Sequence, residues 1–199
     1  MLVYWTNRLA WALSRKDTTA QVPVGALFVS SDIQNQAIPK VVAALRCIQQ
    51  VDAVRSQRIK RQVKRILVVG SRLVAYGIWY RPLRMISLAD DWVKDNATSC
   101  ERIALTIVHE ATHARLWCFG YDEPLRGRVE RICNYQALVF ASRLPEGATL
   151  VAIARAAMDR DPEDYSMERR RRRILDALET VLPKRIVALV ARFSRGRAA

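Results

Sequence analysis

Residues 106–116, TIVHEATHARL, hold both histidines of the 199-residue chain. They stand four positions apart, with a glutamate directly after the first: His109-Glu110-x-x-His113. Two histidines scattered at random over such a length fall four apart in only ~2% of cases, and requiring the glutamate lowers this to on the order of 0.1%. The pattern is therefore read as a site and not as a coincidence. Positions four apart share one face of an α-helix, so the two imidazoles can grip a single tetrahedral ion. Glu110 is turned by roughly 100° from His109, which aims its carboxylate at a water beside the ion and away from the ion itself.

The flanking residues mark the motif as helical. In DNATSCERIAL (95–105), Thr98 is the expected N-cap, with Glu101 three residues on as its reciprocal partner. No Gly or Pro interrupts the run to Trp117, and Gly120 supplies the stop. A second helix is expected to start at Pro124 and to run towards Arg143. Two helices joined by so tight a turn lie roughly antiparallel. His113 is then ~8 Å from the end of the first helix and Glu130 ~9 Å into the second. The depths match, which makes Glu130 the expected third ligand, since a catalytic zinc takes three protein ligands and keeps one open position. Asp122 and Glu123 have the right chemistry but sit at the turn, about two helical turns away. Cys118 and Cys133 are soft donors near the hairpin, although buried apolar thiols are common in cores. Asn134, one turn past Glu130, is placed either to bond the outer nitrogen of a ligating histidine or to stand as a surface amide.

Upstream of the motif, IPKVVAALRCIQQVDAV predicts a helix from about Pro39, and RSQRIKRQVKR keeps Ile59 and Val63 one turn apart among basic residues. Three short β-like runs follow: RILVVG (65–70), LVAYGIWY (73–80) and LRMISL (83–88). Their brief connections predict a small antiparallel meander.

His-Glu-x-x-His with a glutamate on the next helix resembles the gluzincin arrangement of zinc metallopeptidases. More narrowly, ERICNYQALVFASRLPEG (130–147) is similar to the ImmA/IrrE-type peptidases: Glu130, Asn134, Ala137, Phe140, Ala141, Leu144 and Pro145 occupy the corresponding places. Cys133 stands where that pattern has a small alanine. The resemblance covers roughly residues 98–147. It implies an α+β, zincin-like core made of a small sheet, the motif helix and the ligand helix, with N- and C-terminal helices added. The domain is expected over 1–164, with 165–199 a basic helical extension packed on it. The function implied is peptide-bond hydrolysis with one Zn2+ per chain. His109, His113 and Glu130 would hold the metal, and Glu110 would act as general base on a water whose pKa the zinc lowers towards 7. Tyr121, Tyr135 and arginines such as Arg126 are candidates to stabilise the oxyanion. The strand LRMISL could receive an extended protein or peptide substrate by edge pairing.

The net charge of +14 is unevenly spread. Residues 55–84 carry nine basic groups and no acidic one, and residues 165–199 carry ten and three, whereas 85–164 carry nine and thirteen. The excess therefore flanks the histidines. Such blocks attract nucleic acid or an anionic membrane surface, although a charge run is also commonly a solvated face. The second class of function is accordingly a basic binding protein, with its zinc structural or with no metal at all. The opening MLVYWTNRLAWALSRK reads as an amphipathic helix, not a secretion signal, and no run of about 18 apolar residues is present. The four cysteines are widely spread without a C-x-x-C pair, so reduced thiols and a cytoplasmic location are expected.

Overall fold

The structure is a computed structural model. It describes residues 20–24, 27–31, 37–69, 75–116 and 123–165, together with positions 169 and 172. Strands β1 (Ala20–Val24) and β2 (Leu27–Ser31) form an antiparallel pair. Helices α1 (Ala37–Val51) and α2 (Ala53–Gln62) then lead to β3 (Arg65–Val69), which lies parallel to β2. Next come β4 (Gly77–Tyr80) and β5 (Met85–Ala89), followed by a short α3 (Asp90–Lys94). The long helices α4 (Cys100–Leu116), α5 (Arg126–Ala141) and α6 (Ala148–Met158) complete the described architecture. The class is α+β, as the sequence implies.

The sheet is not the antiparallel meander expected. Its strand order is β1-β2-β3-β5-β4, and β3 pairs with β5 in parallel, Ile66 opposite Ile86. After β3 the chain passes beyond the position that β5 will fill, runs up the edge as β4, and returns as β5 antiparallel to it. The reversal turns on Arg84, whose φ of 48° and ψ of 45° are left-handed. Burial explains the order. Every residue of β5 is buried, Ser87 included, as are Ile66, Leu67 and Val68 of β3, and largely apolar strands buried along their whole length belong at the centre of a sheet covered on both faces. β4 is only partly buried and takes the edge. LRMISL is therefore an interior strand, and the edge offered to a peptide is that of β4. The β1–β2 hairpin was not foreseen from the sequence.

The core runs from the sheet through α1 into α4 and α5, with Val41, Ile48, Ile66, Ile86, Ile107 and Phe140 at its centre. α4 packs against α1, α2 and β4 as well as α5, and α6 covers the far side of α5. The motif helix is thus enclosed, which is why its apolar residues are not confined to one stripe. Its cap lies one residue later than expected. Ser99 Oγ accepts from the Arg102 N–H at 3.2 Å, and the Ser99 carbonyl accepts the first helical bond, from Ile103. The Thr98 side chain is buried, and its hydroxyl has no hydrogen-bond partner among the described residues. Lys40 of α1 ties down the approach to this cap by donating to the carbonyls of Asp95 and Thr98. Among the described residues no helix is long and apolar enough to cross a membrane. The expected N-terminal helix (1–16) and almost all of the basic extension from 165 onwards lie outside the described residues.

One contact fixes how near the sheet edge comes to the motif helix. A Cβ placed on Gly77 of β4 would stand 2.7 Å from Thr106 Cγ2 and 3.2 Å from Glu110 Cγ. Thr106 cannot swing clear without losing its hydroxyl bond to the Arg102 carbonyl at 3.3 Å. Gly77→Ala is therefore expected to destabilise the fold by about 1–3 kcal/mol through overpacking. Chemical denaturation of the two proteins checks this, and equal midpoints would show that β4 moves away without cost.

Candidate metal centre

Both histidines project from the second half of α4 towards α5. Their ring centroids are 5.0 Å apart with the planes at 71°, and the two Nε2 atoms approach to 3.2 Å. Glu130, one turn into α5, places Oε2 3.4 Å from His109 Nε2 and 3.5 Å from His113 Nε2. The three atoms form a nearly equilateral triangle. A tetrahedral zinc with bonds of about 2.0–2.1 Å has edges of about 3.3–3.4 Å between its ligand atoms, so the triangle has the size of one face of such a site. Glu110 is buried and stands apart from the triangle, with Oε1 4.0 Å from His109 Nε2.

Cys133 belongs to the same cluster. His109, His113 and Cys133 offer ligand atoms that all lie within 4.8 Å of one another, a grouping compatible with a metal ion. Cys133 is completely buried on α5, three residues after Glu130. Burial, reinforced by the charges of Glu130 and Glu110, pushes its thiol well above the ordinary range. A metal bound there would have to displace the thiol proton, as it must any proton on the two imidazoles.

The electrostatics suit a cation. Burial alone would lower the pKa of His109, but hydrogen bonding to Glu130, the charges of Glu110 and Glu130, and a hydrogen bond to Asn134 together raise it. For Glu130 burial acts upward, yet the two histidines hold its carboxyl far below the usual range. Two carboxylates directed at two imidazoles make a pocket that holds positive charge, and a metal ion competes with protons for the same lone pairs.

Asn134 is buried and is among the neighbours that raise the pKa of His109. Its Nδ2 donates to the Ala157 carbonyl and to the Tyr165 hydroxyl, both at 3.1 Å, so an acceptor role towards the histidine would fall to the carboxamide oxygen. The Tyr165 hydroxyl in turn donates to the Ala157 carbonyl at 2.9 Å. Hydrogen bonds thus tie Asn134, a neighbour of His109, to the end of α6 and the turn after it. Tyr165 was missed from the sequence, where no local signal links it to a motif more than fifty residues earlier. The oxyanion candidates fare differently. Tyr135 is 51% exposed and, five residues past Glu130, faces away from the cluster. Tyr121 lies outside the described residues, as do Cys118 and Asp122; Arg126 opens α5. No protein-family model, curated protein or solved structure matches the chain.

Partners that orient a ligating imidazole commonly govern metal affinity by 10–100-fold. Asn134→Ala is expected to weaken zinc binding by roughly tenfold or more, and Tyr165→Phe by less. Competition with a chromophoric chelator measures both; affinities equal to wild type would remove the chain of hydrogen bonds from the site.

Proposed function

We propose that the protein is a zinc-dependent metallopeptidase of gluzincin type, with His109, His113 and Glu130 holding the metal and Glu110 as general base. The observation that carries this reading is the near-equilateral triangle of ligand atoms beside a buried fourth group, Glu110, that is not one of its corners. A bound zinc would supply Lewis acidity, lowering the pKa of water and polarising a carbonyl. Glu110 takes the proton of the attacking water and delivers it to the leaving amine. Its burial keeps the carboxylate away from bulk solvent, where the proton would be lost. Glu130 stands 3.4 Å from His109 Nε2 and Asn134 is a further neighbour of the ring, so the imidazole would be partly oriented before the metal enters. The edge of β4 reaches Glu110 through Gly77, and an extended peptide paired along that edge would bring its backbone to the general base.

Cys133 carries the competing reading. If its thiolate joined the two histidines and Glu130, the site would be closed and four-coordinate, as structural zinc sites are. Elemental analysis and activity separate the two. Glu130→Ala should lose most of its zinc, whereas Cys133→Ala should retain about one ion per chain. Glu110→Gln should keep its zinc but cleave an unfolded protein substrate roughly 10²–10⁴-fold more slowly. Equal cleavage by Glu110→Gln and wild type would sink the mechanism. Loss of zinc from Cys133→Ala, with unfolding on chelation, would instead establish the structural site.

A further inference from the structure

β4 is bordered on one side by β5, and no described strand covers its other side. The carbonyl of Tyr76, the residue before β4, accepts from the Ala89 N–H at 3.1 Å, and Gly77 stands opposite Leu88. Antiparallel ladders alternate between residue pairs that exchange hydrogen bonds and pairs that do not. Gly77 and Leu88 are a pair of the second kind, so the N–H and C=O of Gly77 point away from β5 and out of the sheet edge. They do so beside Glu110, whose Cγ would be 3.2 Å from a Cβ on Gly77. The backbone groups that this edge turns towards an extended peptide thus include those next to the proposed general base.

One residue upstream the surface changes character. Tyr76 is 56% exposed, and its ring stacks on the buried Trp92 with centroids 5.0 Å apart and planes at 22°. Arg102 of α4 holds its guanidinium over the same tyrosine, Cζ 5.8 Å from the ring centroid. Among the described residues that guanidinium makes no ion pair or hydrogen bond. The backbone N–H and carbonyl of Arg102 serve Ser99 and Thr106, and the adjacent Glu101 carboxylate accepts from Cys100 Sγ at 3.2 Å. A guanidinium that rests on an aromatic face with its N–H donors unspent is matched by a carboxylate, whose two oxygens its planar fork can take together.

Arg102, Thr106 and Glu110 follow one another at four-residue spacing on α4. The chain enters β4 along them, with Tyr76 at Arg102 and Gly77 at Thr106 and Glu110. Arg102 is therefore ~12 Å from Glu110 along the helix axis, the span of about three or four residues of extended peptide. We propose that Arg102, seated on the Tyr76 ring, selects peptides that carry an acidic side chain about three or four residues from the bond to be cleaved. Cleavage itself rests on the metallopeptidase reading, whereas recognition of the carboxylate rests on Arg102 and Tyr76. Because Arg102 meets the peptide away from the reacting atoms, it holds substrate and transition state alike and acts on KM, not on kcat.

Blocked peptides scanned with Glu, Ala or Lys at each position test this on the zinc-loaded full chain. Cleavage is followed with wild type, and binding by fluorescence anisotropy with Glu110→Gln. With Glu at the favoured position, kcat/KM and affinity should both be roughly tenfold above the Ala counterpart, and Lys should be the poorest. Arg102→Ala should remove that preference by raising KM at unchanged kcat, and Arg102→Glu should turn it towards Lys. The helix-cap bond uses the backbone N–H of Arg102, so zinc content and melting temperature should match wild type in Arg102→Ala. Tyr76→Leu should weaken the preference, and Arg46→Ala, at an exposed position of α1, should leave it intact. The two readings fail separately. Binding that depends on both Glu and Arg102, without cleavage of any peptide, overturns the peptidase and keeps the carboxylate site. Cleavage indifferent to Glu, or a preference that survives Arg102→Ala, overturns the carboxylate site and keeps the peptidase. A loss in Arg46→Ala as large as in Arg102→Ala also overturns the site, since net charge alone would then be the attraction. Neither binding nor cleavage overturns both.

Discussion

A helix enclosed on most sides has no solvent-facing stripe on which to place its polar residues. α4 is such a helix, and it carries Glu110, Thr112 and His113 inside the core beside the partly buried His109. Burying ionisable groups is costly unless each finds an opposite charge or a hydrogen-bond partner. The arrangement around α4 answers that requirement. α5 brings Glu130 to both imidazoles and Asn134 to one of them, and Thr112 Oγ1 donates back to the Val108 carbonyl at 2.8 Å. The position of α5 along α4 is thus set by charge pairing as well as by apolar packing. A shift of one turn would strand a buried carboxylate.

How far this was legible in the sequence depends on the range over which each feature is decided. The helical face of His109 and His113 is local, and so is Asn134, one turn from Glu130. The meeting of Glu130 with the histidines is not local, but two successive helices expected to lie antiparallel make it calculable from rise per residue alone. The sheet failed that test. Strand lengths follow from short apolar runs, yet strand order depends on which run is buried on both faces, and spacing does not report that for LRMISL. The cap was read one residue early because Thr98 and Ser99 have the same capping chemistry. The choice was made by burial, which took the Thr98 side chain into the interior.

Net charge is informative in a different way. The excess over 55–84 invites the picture of a uniform cationic surface, but part of it joins one element to another. Arg55 joins α2 to α5, and Arg84 closes the end of α2. The guanidinium group is suited to this because it stays charged and presents donors in several directions. Its aliphatic stem and planar head also pack on apolar surface: Arg55 lies over the Phe140 ring, 6.0 Å from its centroid. Electrostatic footprints are therefore better judged from what remains unpaired after folding than from the count along the chain.

The turn at Pro162–Tyr165 gives the chain a boundary that composition does not suggest. Read by charge, the natural place to divide the protein is just before the arginine-rich stretch, with Tyr165 on the outer side. Read by hydrogen bonds, Tyr165 is the outermost member of the assembly that orients His109. A fragment trimmed at the charge boundary would keep every residue of the HExxH motif and of the ligand helix, yet lose the anchor behind them. The smallest piece able to inherit the site is thus defined by a phenol hydroxyl, in a segment that looks like the start of a tail.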